Sequence, residues 1–250
     1  MTKTIIITGA SSGLGKAIAE HVATLGITLY LIGRNKQRLE ETASICKAKN
    51  ANAIPYIADV SSLEEMLKFY DHLKGRQIDI LFACAAVSMD VDGVEKLAQA
   101  KKIFDINIAG LSNTVLPAAE IMSKKNVGGK IVIIGSLAGE LPFPTSPSYC
   151  ASKAAARIFA DSLRIGLKKY NIQITTVLPG YIATPMTNNN KHTMPFIVSA
   201  SNAAKLIVSG VNKNKDLIIF PKILYYLVQV IKLLPNCMSD YLLGFVPGKE

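Results

Sequence analysis

Short runs of β-branched and aliphatic residues recur along the chain, and segments with helical spacing separate them. The runs cover residues 4–8, 28–32, 53–57, 78–83, 130–135, 173–178 and 217–220. They lack polar alternation, which is typical of strands buried on both faces of a sheet. Strands that alternate with helices form right-handed β-α-β units. The pattern therefore predicts an α/β fold whose parallel sheet is covered on both sides.

The length of 250 residues, half of them apolar, suits one α/β domain with a sizeable core. No linker, repeat or low-complexity stretch divides the sequence, so we expect a single domain over residues 1–250. Residues 186–196 are polar with little periodicity, which indicates a long mobile connection.

The first predicted strand runs directly into the sequence TGASSGLG at residues 8–15, and a helix follows. Glycines at this position let the backbone approach a pyrophosphate that is bound by the amides of the helix N-terminus. The residues expected to contact the phosphates are Gly9, Ser11, Ser12, Gly13, Leu14 and Gly15. After the third strand come Asp59 and Val60, where the carboxylate can meet an adenine amino group. This position between strand and helix favours a dinucleotide loop over an ordinary glycine-rich turn.

The end of the second strand carries no carboxylate. NAD-binding proteins normally place an acid there for the adenosine ribose hydroxyls. Here Arg34 takes the position, and a guanidinium can bind a 2′-phosphate through paired hydrogen bonds. Ser11 and either Lys36 or Arg38 are close enough in sequence to help. The sequence therefore predicts NADP(H) as the cofactor.

Tyr149 and Lys153 lie four residues apart in a segment with helical spacing that continues to about Tyr170. Residues at this separation share one face of a helix. An ammonium beside a phenol favours the phenolate, and it should lower the tyrosine pKa from about 10 toward neutrality. Tyr149 can then both give and take a proton. The spacing alone is common by chance, so the interpretation depends on the residues around it.

Further polar residues follow the later strands. Ser136 ends the fifth strand, at the edge where doubly wound sheets bind ligands, and it can orient a substrate oxygen. Asn107 is a candidate to hold a water that resupplies protons. The predicted nicotinamide contacts after the sixth strand are Pro179, Gly180, Ile182 and Thr184. We expect Thr184 to bind the carboxamide. Taken singly, these residues also fit ordinary strand caps and loop hydroxyls.

Together, these positions resemble the short-chain dehydrogenase/reductase family over residues 1 to about 221. The resemblance implies a Rossmann-type, doubly wound sheet of seven parallel strands. It implies that Asn107, Ser136, Tyr149 and Lys153 are the catalytic tetrad and that Lys153 also binds the nicotinamide ribose. In this family the hydride comes from C4 of the nicotinamide. Members are often homodimers or homotetramers, packed through the helices that precede and bear the tyrosine.

One segment departs from the family pattern. After the fourth strand the family usually reads NNAG, whereas residues 83–86 here read ACAA. The usual asparagine helps to tie the central sheet together, and the glycine lets the backbone lie close to the cofactor. Because alanine is the smallest replacement with a Cβ, we expect this region to be shifted slightly. Cys84 and Cys150 are near the predicted site, and we expect them to be packing residues rather than redox centres.

The cysteines, the histidines and the net charge limit which compartment, metal and binding partners we expect. The four cysteines form no Cys-x-x-Cys pair, so we expect a reduced, cytoplasmic protein. His21, His72 and His192 have no neighbour at metal-ligand spacing, so no metal site is expected. The net charge of +10 admits nucleic acid, an anionic membrane or a polyanionic cofactor. The basic residues come in pairs without interleaved aromatics, so we expect no nucleic-acid partner.

Residues 222–248 form an apolar extension, predicted to be helical over 222–234 and to end before Pro235. Lys222, Gln229 and Lys232 share a narrow polar stripe, and nearly all other positions of this helix are apolar. A helix of this length spans only about 20 Å against a hydrocarbon core of about 30 Å, which excludes a simple membrane span. It therefore packs over the protein's own cleft or a partner subunit, or it lies on an anionic membrane surface.

Two functions remain from the sequence. The first is an NADP(H)-dependent oxidoreductase that reduces a ketone or aldehyde, with the apolar extension favouring a hydrophobic small-molecule substrate. The alternative is a non-catalytic NADP(H)-binding scaffold or sensor at a membrane surface. The complete tetrad favours the enzyme, because a sensor needs no acid/base group.

Overall fold

The computed structural model describes residues 3–73, 75–89, 91, 94–125, 127–188 and 194–244. Its strands are β1 (Lys3–Thr8), β2 (Ile27–Gly33), β3 (Asn52–Ile57), β4 (Ile80–Ala83), β5 (Gly129–Ile134), β6 (Ile172–Pro179), β7 (Ile182–Ala183), β8 (Val198–Ser199) and β9 (Leu217–Phe220). Its helices are α1 (Gly13–Val22), α2 (Lys36–Ala48), α3 (Leu63–His72), α4 (Leu97–Phe104), α5 (Gly110–Lys125), α6 (Pro147–Leu167), α7 (Ala200–Asn212), α8 (Lys222–Lys232) and α9 (Asn236–Gly244). Within these residues, seven strands form one parallel sheet in the order β3-β2-β1-β4-β5-β6-β9.

Alternate residues of each strand enter two cores on opposite faces of the sheet. In β1, Ile5 and Ile7 belong to one core and Ile6 belongs to the other. Helices α1, α2 and α7 cover the first core, and helices α3, α5 and α6 cover the second. Because both faces are buried, the strands read as continuous apolar runs. The predicted Rossmann-type, doubly wound α/β fold is confirmed.

The seven predicted strands all occur, within two residues of their expected bounds. The largest difference is in β4, which begins at Ile80 instead of Ile78. The Asp79 carboxylate accepts the Thr4 N–H at 2.7 Å, where a strand would offer a backbone carbonyl. The Asp79 side chain therefore takes the place of one backbone hydrogen bond between the chain before β4 and β1.

The short parallel pair of β7 and β8 was not predicted. It joins the two ends of the segment that contains the predicted connection 186–196. Thr187 Oγ1 donates to the Ile182 carbonyl at 2.6 Å, which closes a turn at the start of that segment. Residues 189–193 of the connection, His192 among them, and residues 245–248 of the apolar extension lie outside the described residues. Helices α8 and α9 form the rest of that extension, with α8 ending two residues before the predicted 234.

Candidate active site

A cleft of about 620 Å³ opens at the carboxyl ends of the central strands, where doubly wound sheets bind their ligands. The predicted site residues that line it are Gly9, Ser11, Ser12, Gly13, Leu14, Gly15, Arg34, Asp59, Val60, Ser136, Tyr149, Lys153, Pro179, Gly180, Ile182 and Thr184. Arg38 lines it too, whereas Asn107 and Lys36 are absent from the part of the lining that the structure describes.

The loop after β1 has a backbone that requires glycine. Gly9 has a φ of 67°, and a Cβ there would lie 3.0 Å from the backbone of Ala85. A Cβ on Gly15 would overlap the carbonyl oxygen of Gly9. Helix α1 begins at Gly13, so the unpaired amides of its first turn are at the cleft. These glycines let the loop pack tightly on neighbouring backbone, and the unpaired amides of α1 at the cleft fit the pyrophosphate of a dinucleotide.

Thr8, at the end of β1, holds the segment that departs from the family pattern. Its Oγ1 accepts hydrogen bonds from the Cys84 amide at 3.1 Å and from the Ala85 amide at 3.2 Å. One buried hydroxyl therefore ties β1 to the chain leaving β4, although the usual asparagines are missing. Ala85 and Ala86 both line the cleft.

At the adenosine end, Arg34 Nη1 lies 3.2 Å from Asp59 Oδ2, so these two predicted contacts pair with each other. The Arg34 side chain is 56% exposed. A Cβ on Gly33 would lie 3.3 Å from Ser11 Oγ, which places Ser11 against the turn that carries Arg34. Burial acts to raise the pKa of the Asp59 carboxyl, but hydrogen bonds from Ser61 and then from Arg34 lower it. Asp59 is therefore an anion at neutral pH.

The opposite end of the cleft carries the residues predicted to act in catalysis. Ser136 follows β5 and caps a short 3₁₀ turn, Leu137–Gly139. Lys153 Nζ lies 5.7 Å from the centre of the Tyr149 ring and donates to the Ile134 carbonyl at 2.9 Å. The tyrosine, the lysine and the serine are therefore brought to one place by α6 and the end of β5.

Burial changes the chemistry of this end. Lys153 is 5% exposed, and burial lowers the pKa of its ammonium to about 8. Burial raises the pKa of the thiols of Cys84 and Cys150, as expected for packing residues.

Asn107 lies behind the cleft wall, in a π-helical turn, Asp105–Ala109, between α4 and α5. Its Oδ1 accepts from the Val87 amide at 2.8 Å, and its Nδ2 donates to the Val87 carbonyl at 2.9 Å and to Ser152 Oγ at 3.0 Å. Both amide hydrogens are thus bound by protein atoms. The Asn107 side chain therefore has no amide hydrogen left for a water that resupplies protons. It could hold such a water only by accepting a hydrogen bond from it.

Residues 3–195 match the family model described as short chain dehydrogenase. The chain belongs to the short chain dehydrogenase family. Among curated relatives, the 11-beta-hydroxysteroid dehydrogenase-like 2 of Arabidopsis thaliana is 33% identical, with 98% of this chain and 81% of that protein covered. An uncharacterized oxidoreductase of Myxococcus xanthus is 29% identical, with 95% of each chain covered. The protein is therefore an oxidoreductase of this family.

Solved structures of short-chain dehydrogenases share the fold. One from Sphingobium yanoikuyae, in complex with NADPH, has a TM-score of 0.81 at 23% identity and covers 97% of this chain and 92% of its own. One from Burkholderia phymatum, in complex with NAD, has a TM-score of 0.84 at 22% identity, with 92% and 93% covered. Both nicotinamide cofactors occur on this fold, so the fold does not choose between them.

Three residues of this short-chain dehydrogenase were not identified from the sequence: Thr8, Gly139 and Ser152. A Cβ on Gly139 would lie 2.6 Å from the backbone carbon of Lys153, so glycine lets the turn after Ser136 pack directly on α6. A glycine three residues after a serine at a strand end is a weak signal for such packing. Ser152, between Tyr149 and Lys153, carries no signal beyond its place in the motif.

Helix α8 supports the cleft from outside. A Cβ on Gly180 would lie 3.3 Å from Leu224 Cδ1 and 3.8 Å from Leu137 Cδ1. At the other end of α8, Lys232 Nζ donates to Glu140 at 2.9 Å. In the described part of the chain, no residue of α8 or α9 lines the cleft itself. None of the described helices combines the length and apolar content that a membrane crossing requires.

Proposed function

We propose that this short-chain dehydrogenase is an NADPH-dependent reductase that converts a hydrophobic ketone or aldehyde to an alcohol. The observation that carries the proposal is the buried Lys153 ammonium beside the Tyr149 ring, in the same cleft as Ser136. Protonation of a carbonyl oxygen needs an acid whose pKa is near the working pH. The lysine cation brings a phenol toward that range. A scaffold or sensor would have no use for this pair.

In the proposed reaction, Ser136 Oγ and the Tyr149 hydroxyl bind the substrate carbonyl oxygen, and Tyr149 donates its proton to that oxygen. When bound, NADPH supplies the hydride. Lys153 stabilises the phenolate that remains, and its Nζ is fixed by the Ile134 carbonyl at 2.9 Å. Lys153 also binds the nicotinamide ribose in this proposal, and Thr184 binds the carboxamide.

The preference for NADPH over NADH rests on Arg34. Its side chain is 56% exposed, and Ser11 and Arg38 line the same cleft. A 2′-phosphate carries two negative charges for these groups, whereas a ribose hydroxyl would have to be recognised by an acid. Asp59 already pairs with Arg34, and it is the carboxylate we assign to the adenine amino group instead.

Apolar side chains at the catalytic end, Val87, Ile182 and Met186, support a hydrophobic substrate. A curated relative bears the name of a hydroxysteroid dehydrogenase-like protein, which makes steroid-type ketones the first class to test. The experiment follows NADPH oxidation with steroids, acyl ketones, quinones and sugars. We expect turnover with a steroid or acyl ketone and its loss in Tyr149→Phe. NADPH binding without turnover of any class would favour the scaffold.

A homodimer or homotetramer is the second part of the proposal. Helices α5 and α6 expose Leu116, Ile158 and Ile165, with Ile158 at 67% and Ile165 at 71%. Large apolar side chains on neighbouring helices favour burial against a second copy. Sedimentation velocity on the wild type and on Ile158→Glu tests this: we expect a dimer or tetramer that dissociates in the variant. A wild type that sediments as a monomer contradicts it.

Helix α8 supports peripheral contact of residues 222–248 with an anionic membrane, in an otherwise cytoplasmic protein. Its exposed face carries Ile223, Tyr226, Leu227, Val230 and Leu233, which follow one another at helical spacing. The net charge of +10 favours anionic lipid. Co-sedimentation with anionic vesicles should be lost in Leu227→Glu, and it should persist in a control, Leu25→Glu, where an isolated leucine is exposed. Equal sedimentation of all three proteins contradicts the contact.

A further inference from the structure

Ser152 is fully buried in α6, between the tyrosine and the lysine of the proposed acid/base pair. It does not belong to the described lining of the cleft, so it touches neither substrate nor cofactor there. Its Oγ accepts from Asn107 Nδ2 at 3.0 Å and donates to the Tyr149 carbonyl at 2.8 Å. One buried hydroxyl therefore connects two of the predicted catalytic residues.

The number of available hydrogens fixes which group donates in each of these hydrogen bonds. A serine hydroxyl has one hydrogen, and here it is given to the Tyr149 carbonyl. The bond to Asn107 must then use an N–H of the amide as donor. Bonds that run in one direction polarise each other in a buried environment. Loss of the hydroxyl would leave an amide hydrogen of Asn107 without its partner in the protein interior, which is costly.

On the side of Asn107, this hydrogen-bond network extends to the wall of the cleft. Asn107 binds both the amide and the carbonyl of Val87, so its side chain pairs with that residue as a neighbouring strand would. Val87 lines the cleft on the side of the chain leaving β4. The connection thus runs from the cleft wall, through the π-helical turn, to the main chain of Tyr149.

We propose that Ser152 is a positioning residue, whose hydroxyl sets the distance between Tyr149 and the cleft wall at Val87. The inference rests on the proposed reductase function. Reacting groups must be held near their attack geometry, and a misplacement of about 1 Å can cost on the order of a hundredfold in rate. Ser152 acts through Asn107 and Tyr149, without contacting the reacting atoms itself.

The test compares Ser152→Ala with the wild type on a carbonyl substrate. We expect kcat to fall by roughly ten- to a hundredfold, because the acid is displaced while the phosphate end of the cleft is intact. The Kd for NADPH should not change. The isotope effect with NADPH deuterated at C4 should increase.

Two further variants separate positioning from stability. Ser152→Cys, which keeps a weak donor in nearly the same volume, should recover part of the lost kcat. Thr42→Val removes another buried helical hydroxyl, one that donates to the Arg38 carbonyl at 3.0 Å in α2. It should lower the melting temperature without changing kcat or the pH profile. If Thr42→Val lowers kcat as much as Ser152→Ala does, the role of Ser152 is structural only.

The coupling to Asn107 completes the test. Ser152→Ala should have little further effect on kcat in an Asn107→Ala background, since both residues belong to one connection. Independent, additive losses would overturn the inference. So would Tyr149-dependent turnover that is insensitive to Ser152→Ala, with the reductase function intact. A wild type whose turnover does not depend on Tyr149 would refute the proposed function and this inference with it.

Discussion

The two ends of the cleft recognise their ligands by opposite means. The phosphate end consists of a glycine-rich loop and of Arg34, whose side chain is 56% exposed and pairs with Asp59. At the catalytic end, the half-buried Ser136 and Tyr149 lie beside Lys153, which is only 5% exposed. An exposed guanidinium can bind a phosphate through charge-assisted hydrogen bonds. A buried cation has a lowered pKa and can therefore take part in proton chemistry at neutral pH. Burial thus separates recognition from catalysis within one cleft.

The largest effect on turnover is expected from Tyr149→Phe. It removes one hydroxyl at the buried end and no phosphate contact, so kcat should fall by about a hundred- to ten-thousandfold. NADPH affinity, measured by fluorescence titration, should be nearly unchanged. A variant that keeps more than about a tenth of the wild-type kcat would remove Tyr149 from its role.

The exposed end is tested by Arg34→Asp. The change deletes a phosphate partner and supplies an acceptor for ribose hydroxyls, so NADPH binding should weaken by about 1.5–3 kcal/mol, or roughly ten- to a hundredfold. The preference should reverse toward NADH, with kcat on the better cofactor largely retained. Steady-state kinetics with both cofactors measure this. Equal NADPH-to-NADH ratios of kcat/KM in variant and wild type would show that Arg34 does not select the cofactor.

The dependence on pH sharpens the contrast. The pKa of Lys153 is lowered to about 8, so the ammonium is lost as pH rises through that value. We expect kcat/KM for NADPH, which reports the free enzyme, to fall by up to about tenfold per pH unit above that pKa. Arg34→Met, which alters only the exposed end, should keep the same profile. A flat profile between neutrality and the ordinary lysine pKa would contradict the role of the ammonium.

Deprotonation of Lys153 does not itself destabilise the fold over the pH range of that decline. Between a pKa of about 8 and the ordinary lysine value, the unfolded chain binds more protons at Lys153 than the folded chain does. The contribution of this residue to the free energy of unfolding therefore increases with pH over the window in which activity is lost. Thermal melts across the window check this sign.

The smallest expected effect is on stability and concerns the hydrogen bonds by which Thr8 joins β1 to the chain after β4. Thr8→Val leaves the Cys84 and Ala85 amides without their acceptor, which should cost about 1–3 kcal/mol of stability. For a chain of this size, each kcal/mol lowers the melting temperature by about 2–4 °C. Thr176→Val is the matched control, since the buried Thr176 hydroxyl has no partner among the described residues. Equal melting temperatures of the two variants would contradict the tie.

The fold was predictable because its strands are local, continuous apolar runs that end at polar or glycine-rich positions. Most residues of the cleft were predictable for the same reason, since their motifs follow the ends of strands. Tyr149 and Lys153 were instead found from their spacing on a helix.

The pairing of Arg34 with Asp59 was not predictable, because it depends on the register of β2 against β3. Asn107 and Ser152 were likewise brought together across 45 positions of sequence. Contacts between distant side chains leave no periodic signal.

The π-helical turn at Asn107 could not be predicted from the sequence either. Gly110 follows it, and a Cβ there would lie 2.7 Å from Val60 Cγ2, so this glycine lets α5 approach the loop after β3. Which glycine serves such a contact is decided by the packing of the two segments. In the chain after β4, the tie to Thr8 was not predicted either, because a threonine at a strand end has many other uses.

The position of β1 in the centre of the sheet has a consequence for how the chain is made. β1 pairs with β2 and with β4, and the core that holds its Ile5 and Ile7 is completed by Ile207 of α7. On the ribosome, β1 emerges well before α7, so part of its apolar face stays uncovered until α7 has been synthesised. Non-local pairing of this kind slows folding and exposes intermediates to aggregation. Nascent chains that stop before α7 should depend on chaperones to remain in solution.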